Sequence, residues 1–103
     1  MSRKLPIRVI RSAAAQIEEA SAWWEVSRPK APGSLRQEIE RAFELISTQP
    51  RIGAGAANIR LAGVRRIHLS RIHYHLCYRV KESPQAVEVL ALWHAGRGSG
   101  PAL

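Results

Sequence analysis

The sequence predicts an α+β domain of order β-α-α-β-β-β, with two antiparallel helices packed on one face of a mainly antiparallel sheet. Three observations predict it. Residues 13–26 and 34–49 contain no Gly or Pro and repeat apolar residues at helical spacing. Residues 72–80 alternate strictly, with Ile72, Tyr74, Leu76, Tyr78 and Val80 on one side and His73, His75, Cys77 and Arg79 on the other. Glycine, proline and short polar turns punctuate everything between these runs. At 103 residues the chain suits a single domain, read over residues 1–97, with 98–103 as a flexible tail.

Each element has its own signal. Residues 6–11 hold Ile7, Val9 and Ile10 with Arg8 and Arg11 interleaved, a short strand that Pro6 marks as an edge. Ser12 is placed to cap the first helix, whose inner face reads Ala14, Ile17, Ser21 and Trp24. Two prolines and a glycine make residues 28–33 a loop. Ser34 and Gln37 fit a capping box for the second helix, whose inner face reads Leu35, Ile39, Ala42, Phe43 and Ile46. Pro50 stops it. Residues 51–63 are rich in Gly and Ala and read as a loop anchored by Ile52, Ile59 and Leu61. Strands follow at 64–69, 72–80 and 86–94, joined by Ser70-Arg71 and by a turn at Ser83-Pro84. The last is apolar on both sides, as a central strand is.

Composition sets the chemistry available. The 16 Lys and Arg outnumber 8 acidic residues, and residues 51–103 alone carry 8 basic against 2 acidic side chains. Thirteen of the 16 are Arg, the side chain suited to bidentate contact with phosphate or carboxylate, so a polyanionic partner is favoured. No apolar run reaches the ~18–20 residues of a membrane span. The N-terminus does not read as a signal peptide, and a cytoplasmic protein with no membrane partner is expected. Cys77 is the only cysteine, which excludes an internal disulfide and a four-cysteine zinc site.

By parity, the last three strands as neighbours gather Arg66, His68, His73, His75, Cys77, Arg79 and His94 on the side away from the helices, over a floor of Leu90 and Leu92. Such a surface can hold a phosphodiester, and imidazole can serve as acid or base near neutral pH. His73 and His75 alone do not make a metal site, no nucleophile elbow is present, and the Gly-rich segments lack the strand-to-helix setting of a phosphate loop. No cofactor or metal is expected. Trp23, Trp24 and Trp93 read as packing residues.

Three motifs, in this order, resemble the RelE/ParE superfamily of toxins from type II toxin–antitoxin systems. They are Leu61-Ala62-Gly63-Val64-Arg65-Arg66, the strand Tyr74-His75-Leu76-Cys77-Tyr78-Arg79-Val80, and the closing run Val89-Leu90-Ala91-Leu92-Trp93-His94-Ala95-Gly96-Arg97. Gln49-Pro50-Arg51-Ile52-Gly53 fits the exit from the second helix, so the likeness spans about residues 7–97. It implies a growth-inhibiting, plasmid-stabilising type of toxin, neutralised by a cognate antitoxin. RelE-like members cut mRNA on the ribosome; ParE-like members block DNA gyrase. In the nuclease case the resemblance implies His94 as general acid, with Arg66 and His75 at the phosphate. A target- or nucleic-acid-binding set would be Arg65, Arg66, His68, Arg79 and Arg97. Here the strand position that holds a phosphate-binding Arg in nuclease members is His75, and residues 51–63 contain no carboxylate to match a catalytic Glu. Residues 98–103 contain no aromatic either. These departures point to the ParE branch, with gyrase as target and the ribosome and mRNA as the alternative.

Overall fold

A computed structural model describes residues 4–31, 33–56 and 61–96. Its elements are β1 (Ile7–Val9), α1 (Arg11–Ser27), α2 (Ser34–Thr48), β2 (Ala54–Gly55), β3 (Arg65–Leu69), β4 (Tyr74–Glu82) and β5 (Gln85–His94). The strands form one sheet in the order β1-β5-β4-β3-β2, in which only β1 and β5 run parallel. This is the expected order with one short strand added. Ala54 and Gly55, within the segment read as a loop, pair with Arg66 and Arg65.

Both helices lie on one sheet face. α2 buries Leu35, Ile39, Ala42 and Ile46, with Phe43 half-buried beside them, as the spacing predicts. α1 buries Ala13, Ala20, Ser21 and Trp24; Ala14, expected inside, is exposed. The helix begins at Arg11 with Ile10 at its N-cap, so Ser12 sits inside the first turn and caps nothing. α2 likewise starts from Gly33 without a side-chain cap, and the Ser34–Gln37 capping box does not form. Tertiary burial of the apolar stripes holds these ends in place of local capping. At its far end α1 is fixed by Trp24, whose Nε1–H donates to the Ala31 carbonyl at 2.9 Å.

The main core lies between helices and sheet, and includes Tyr74, Leu76, Tyr78, Val87, Val89 and Leu92. On the opposite face a smaller cluster of Val64, Cys77, Leu90 and Ala91 packs with Leu61 and Ala56 from the connection before β3.

One irregularity decides which side chains share a face. Cys77 pairs with Ala91, yet Tyr78 pairs with Val89, so Leu90 is an extra residue in β5. Such a bulge reverses the in–out alternation of everything beyond it. Val87 and Val89 face the helices, Leu90 and Ala91 both turn to the other side, and Leu92 and His94 face the helices again. Leu90 therefore floors the open face as expected, and Leu92 does not. The β5 edge beyond β1 is covered by α1, where the Gln16 side-chain oxygen accepts the Leu92 N–H at 2.9 Å. That blunts a backbone edge otherwise free to pair.

The β3–β4 connection is longer than the two residues expected. Leu69 pairs with Tyr74 across a loop of residues 70–73, where the Ile72 and His73 N–H groups both donate to the Leu69 carbonyl, at 3.2 and 2.9 Å. His73 closes the loop in the left-handed region, at φ 58°, and is not part of the strand.

Candidate functional site

The open face is built in rows across the sheet. In the first, Arg8 of β1, Glu88 of β5 and Arg79 of β4 lie side by side, and Arg79 Nε donates to the Glu88 carboxylate at 2.8 Å. In the second, Ala91, Cys77 and Arg66 follow one another. In the third, Trp93, His75 and His68 form a line of rings, with centroids 5.1 Å apart from Trp93 to His75 and 4.9 Å from His75 to His68. His73 stands beyond, 6.4 Å from His68. Arg66 and His68 are exposed; His75 and Trp93 are half-buried. The expected gathering of Arg66, His68, His73, His75, Cys77 and Arg79 is thus present.

His94 is not with them. The register sets it opposite Tyr74, on the helix side, where the two rings meet edge to face at 5.3 Å. The Gly96 N–H donates to its Nδ1 at 3.1 Å, leaving Nε2 to carry the proton of the neutral ring. The sheet therefore stands between His94 and the pair Arg66 and His75, and the three cannot act on one phosphate from one face. The bulge at Leu90 is the cause.

Two further expected contact residues are committed elsewhere. Arg65 faces the helix side opposite Tyr78, and its guanidinium donates to the Gly53 and Arg51 carbonyls at 2.7 and 3.2 Å. It ties down the loop after α2. Arg79 is held by Glu88, with side chains only 29% and 15% exposed. Arg97 and the tail at 98–103 lie outside the described residues, as does Ile59.

The loop carrying Gly53 is fixed from below as well. Its N–H donates to the buried Tyr78 hydroxyl at 2.8 Å, and a Cβ at this position would fall 2.7 Å from that oxygen. Burial pushes the Tyr78 hydroxyl pKa up, opposed by the Gly53 N–H and by Arg65.

Burial, with Arg66 and His68 adding positive potential, lowers the His75 pKa, and its Nδ1 has no hydrogen-bond partner among the described residues. Burial pushes the Cys77 thiol up to about 11, although Arg66 acts in the other direction, so it is an inert core sulfur. Among the described residues no group of His, Cys, Asp and Glu could hold a metal ion. No helix of the described residues is long and apolar enough to cross a membrane.

Trp93, read as a packing residue, does pack, against the cluster of Val64, Cys77, Leu90 and Ala91, and it does so on the open face rather than under the helices. The only signal that finds it is the Leu90 bulge, because unbroken alternation from Val87 puts Trp93 under the helices.

Residues 7–98 match the family described as the ParE toxin of the type II toxin–antitoxin system parDE. No curated protein matches the sequence. Among solved structures, a chain of the chromosomal ParDE toxin–antitoxin system from P. aeruginosa is similar at TM-score 0.70 and 22% identity, covering 88% of this chain and 96% of that one. The isolated E. coli RelE toxin gives 0.66 at 18% identity, covering 92% and 88%. A chain of the RelBE2 toxin–antitoxin complex from Mycobacterium tuberculosis gives 0.62 at 22%, covering 96% and 100%.

Proposed function

The chain belongs to the ParE toxin family of type II toxin–antitoxin systems, and from that premise we propose that it arrests growth through DNA gyrase rather than by cutting RNA. The observation that carries this reading is the separation of His94 from Arg66 and His75 by the thickness of the sheet. Metal-independent cleavage of RNA needs a base for the 2′-hydroxyl, a cation at the phosphate and an acid for the leaving oxygen, all within reach of one phosphate. Here the acid candidate is on the wrong side. The one carboxylate that the described strands place on the open face, Glu88, is bonded to Arg79. Cys77, its thiol raised to about 11 by burial, supplies no base.

As a toxin of this class the chain is neutralised by a cognate antitoxin, and the net charge of +8 suits an acidic partner segment that folds as it binds. The ribonuclease reading has one observation in its favour, the gathering of Arg66, His68 and His75 on a single face.

Expression of the chain without antitoxin is expected to stop growth and induce the DNA-damage response. Purified chain is expected to block supercoiling by gyrase in a reconstituted reaction. Supercoiling that proceeds unchanged at excess toxin removes the proposal.

A further inference from the structure

We infer that the ring row Trp93–His75–His68, with Arg66 beside it, binds an unpaired nucleic-acid strand through its bases without cleaving it. The assignment of that strand as DNA opened during the topoisomerase cycle rests on the gyrase reading; the binding itself does not.

Three observations carry the inference. The first is geometry. One ring from each of three adjacent strands lies on the same sheet face at spacings of 5.1 and 4.9 Å, each tilted from the next by 45° or 42°. Aromatic and imidazole side chains set across a sheet are a surface on which two or three unstacked bases can rest, since every base has a π face.

The second is charge. Arg66 lies one row below the rings, exposed and without an ion pair among the described residues, so its guanidinium is available to a phosphate. Glu88, the carboxylate that the described strands place on this face, is one row from Arg66, two rows from the rings, and held by Arg79. The other acidic residues are on the helices, apart from Glu82 at the end of β4. A polyanion meets a cationic surface here, on which the carboxylate is already paired.

The third is the position of His94. With His94 facing the helices, a strand lying on the rings is out of reach of the general acid that the family resemblance implies. The surface holds; it does not cut.

The test is fluorescence anisotropy of the full chain with a labelled oligothymidylate of about 15 nucleotides, a length within the usual single-strand site sizes. Oligouridylate and duplex DNA serve as parallel probes. Binding to oligothymidylate in preference to duplex is expected. His68→Ala, at an exposed position, should weaken it about 5-fold or more, the lower range of a lost base–ring stack. Trp93→Ala should do at least as much, and Arg66→Ala should lower the salt dependence by about one phosphate contact. Thermal melts accompany each variant, and because Trp93 is half-buried the His68 result decides if Trp93→Ala does not fold. Equal affinity for duplex, or binding indifferent to His68→Ala, overturns the inference, since either means nonspecific attraction to a cationic protein. Cleavage of the oligouridylate also overturns it. A strong preference for oligouridylate over oligothymidylate overturns the DNA assignment. If gyrase is unaffected by the chain while oligothymidylate binding remains sensitive to His68→Ala, the surface stands and the gyrase reading falls.

Discussion

The Tyr78–Gly53 contact gives the sharpest stability prediction, because one oxygen atom can be removed without touching the packing. Tyr78 is 0% exposed, and its hydroxyl accepts the Gly53 N–H at 2.8 Å. Tyr78→Phe keeps the ring and strands that N–H in the interior. The loop cannot easily shift to rehydrate it, since Arg65 holds the Gly53 carbonyl at 2.7 Å. A net hydrogen bond is worth about 1 kcal/mol and a buried orphan donor costs about 1–3 kcal/mol, so a loss of about 1.5–3 kcal/mol is expected. For a domain of this size that lowers Tm by at least about 6 °C. Gly53→Ala tests the same contact from the other side, because its new Cβ would sit 2.7 Å from the Tyr78 oxygen and 3.1 Å from the Arg66 carbonyl. In the Tyr78→Phe background the closer clash disappears, and the two changes should couple by at least about 0.5 kcal/mol. Urea unfolding followed by tryptophan fluorescence reads all four proteins. A Tyr78→Phe loss below about 0.5 kcal/mol, or strictly additive effects, would refute the reasoning.

Other expectations follow from the same geometry. The His75 pKa is lowered from its usual 6.5, so below that value the unfolded chain binds the proton more readily and stability is lost as the pH is lowered. Above it the ring is neutral in both states and contributes no pH dependence; urea midpoints from above pH 7 to about pH 5 should fall less steeply for His75→Phe than for the parent. Cys77, buried with its thiol raised to about 11, should resist alkylation by iodoacetamide in the folded chain and react promptly in urea, as mass spectrometry would show. Ser21 is 3% exposed and its Oγ has no partner among the described residues, so Ser21→Ala should stabilise the chain by about 0.5–1.5 kcal/mol in the same unfolding assay.

The parts of the fold legible in the sequence are those where polarity marks the period. α2 shows its apolar face through Leu35, Ile39, Ala42 and Ile46 against charged neighbours. β4 shows both faces through the alternation of His75 and Arg79 with Leu76 and Tyr78. β5 is the contrary case. Val87 to Trp93 is apolar apart from Glu88, because the strand is covered on both sides. An inserted residue there leaves no change in polarity to betray it, and the error surfaces only at His94. The capping residues misled for a different reason. Ser12 and Ser34 are good caps locally, but β1 delivers the chain to α1 two residues early and the preceding loop delivers it to α2 one residue early. Arg65 and Arg66 are adjacent and chemically identical; only their pairing with Tyr78 and Cys77 sends one under the sheet to hold carbonyls and leaves the other in water.

The claim on which the functional account turns is that His94 and the cations of the open face never meet on one phosphate. Primer extension on ribosome-bound mRNA incubated with the purified chain tests it most directly. An intact message at a toxin concentration that blocks gyrase is the predicted result. New codon-positioned 3′ ends that disappear with His94→Ala would contradict it.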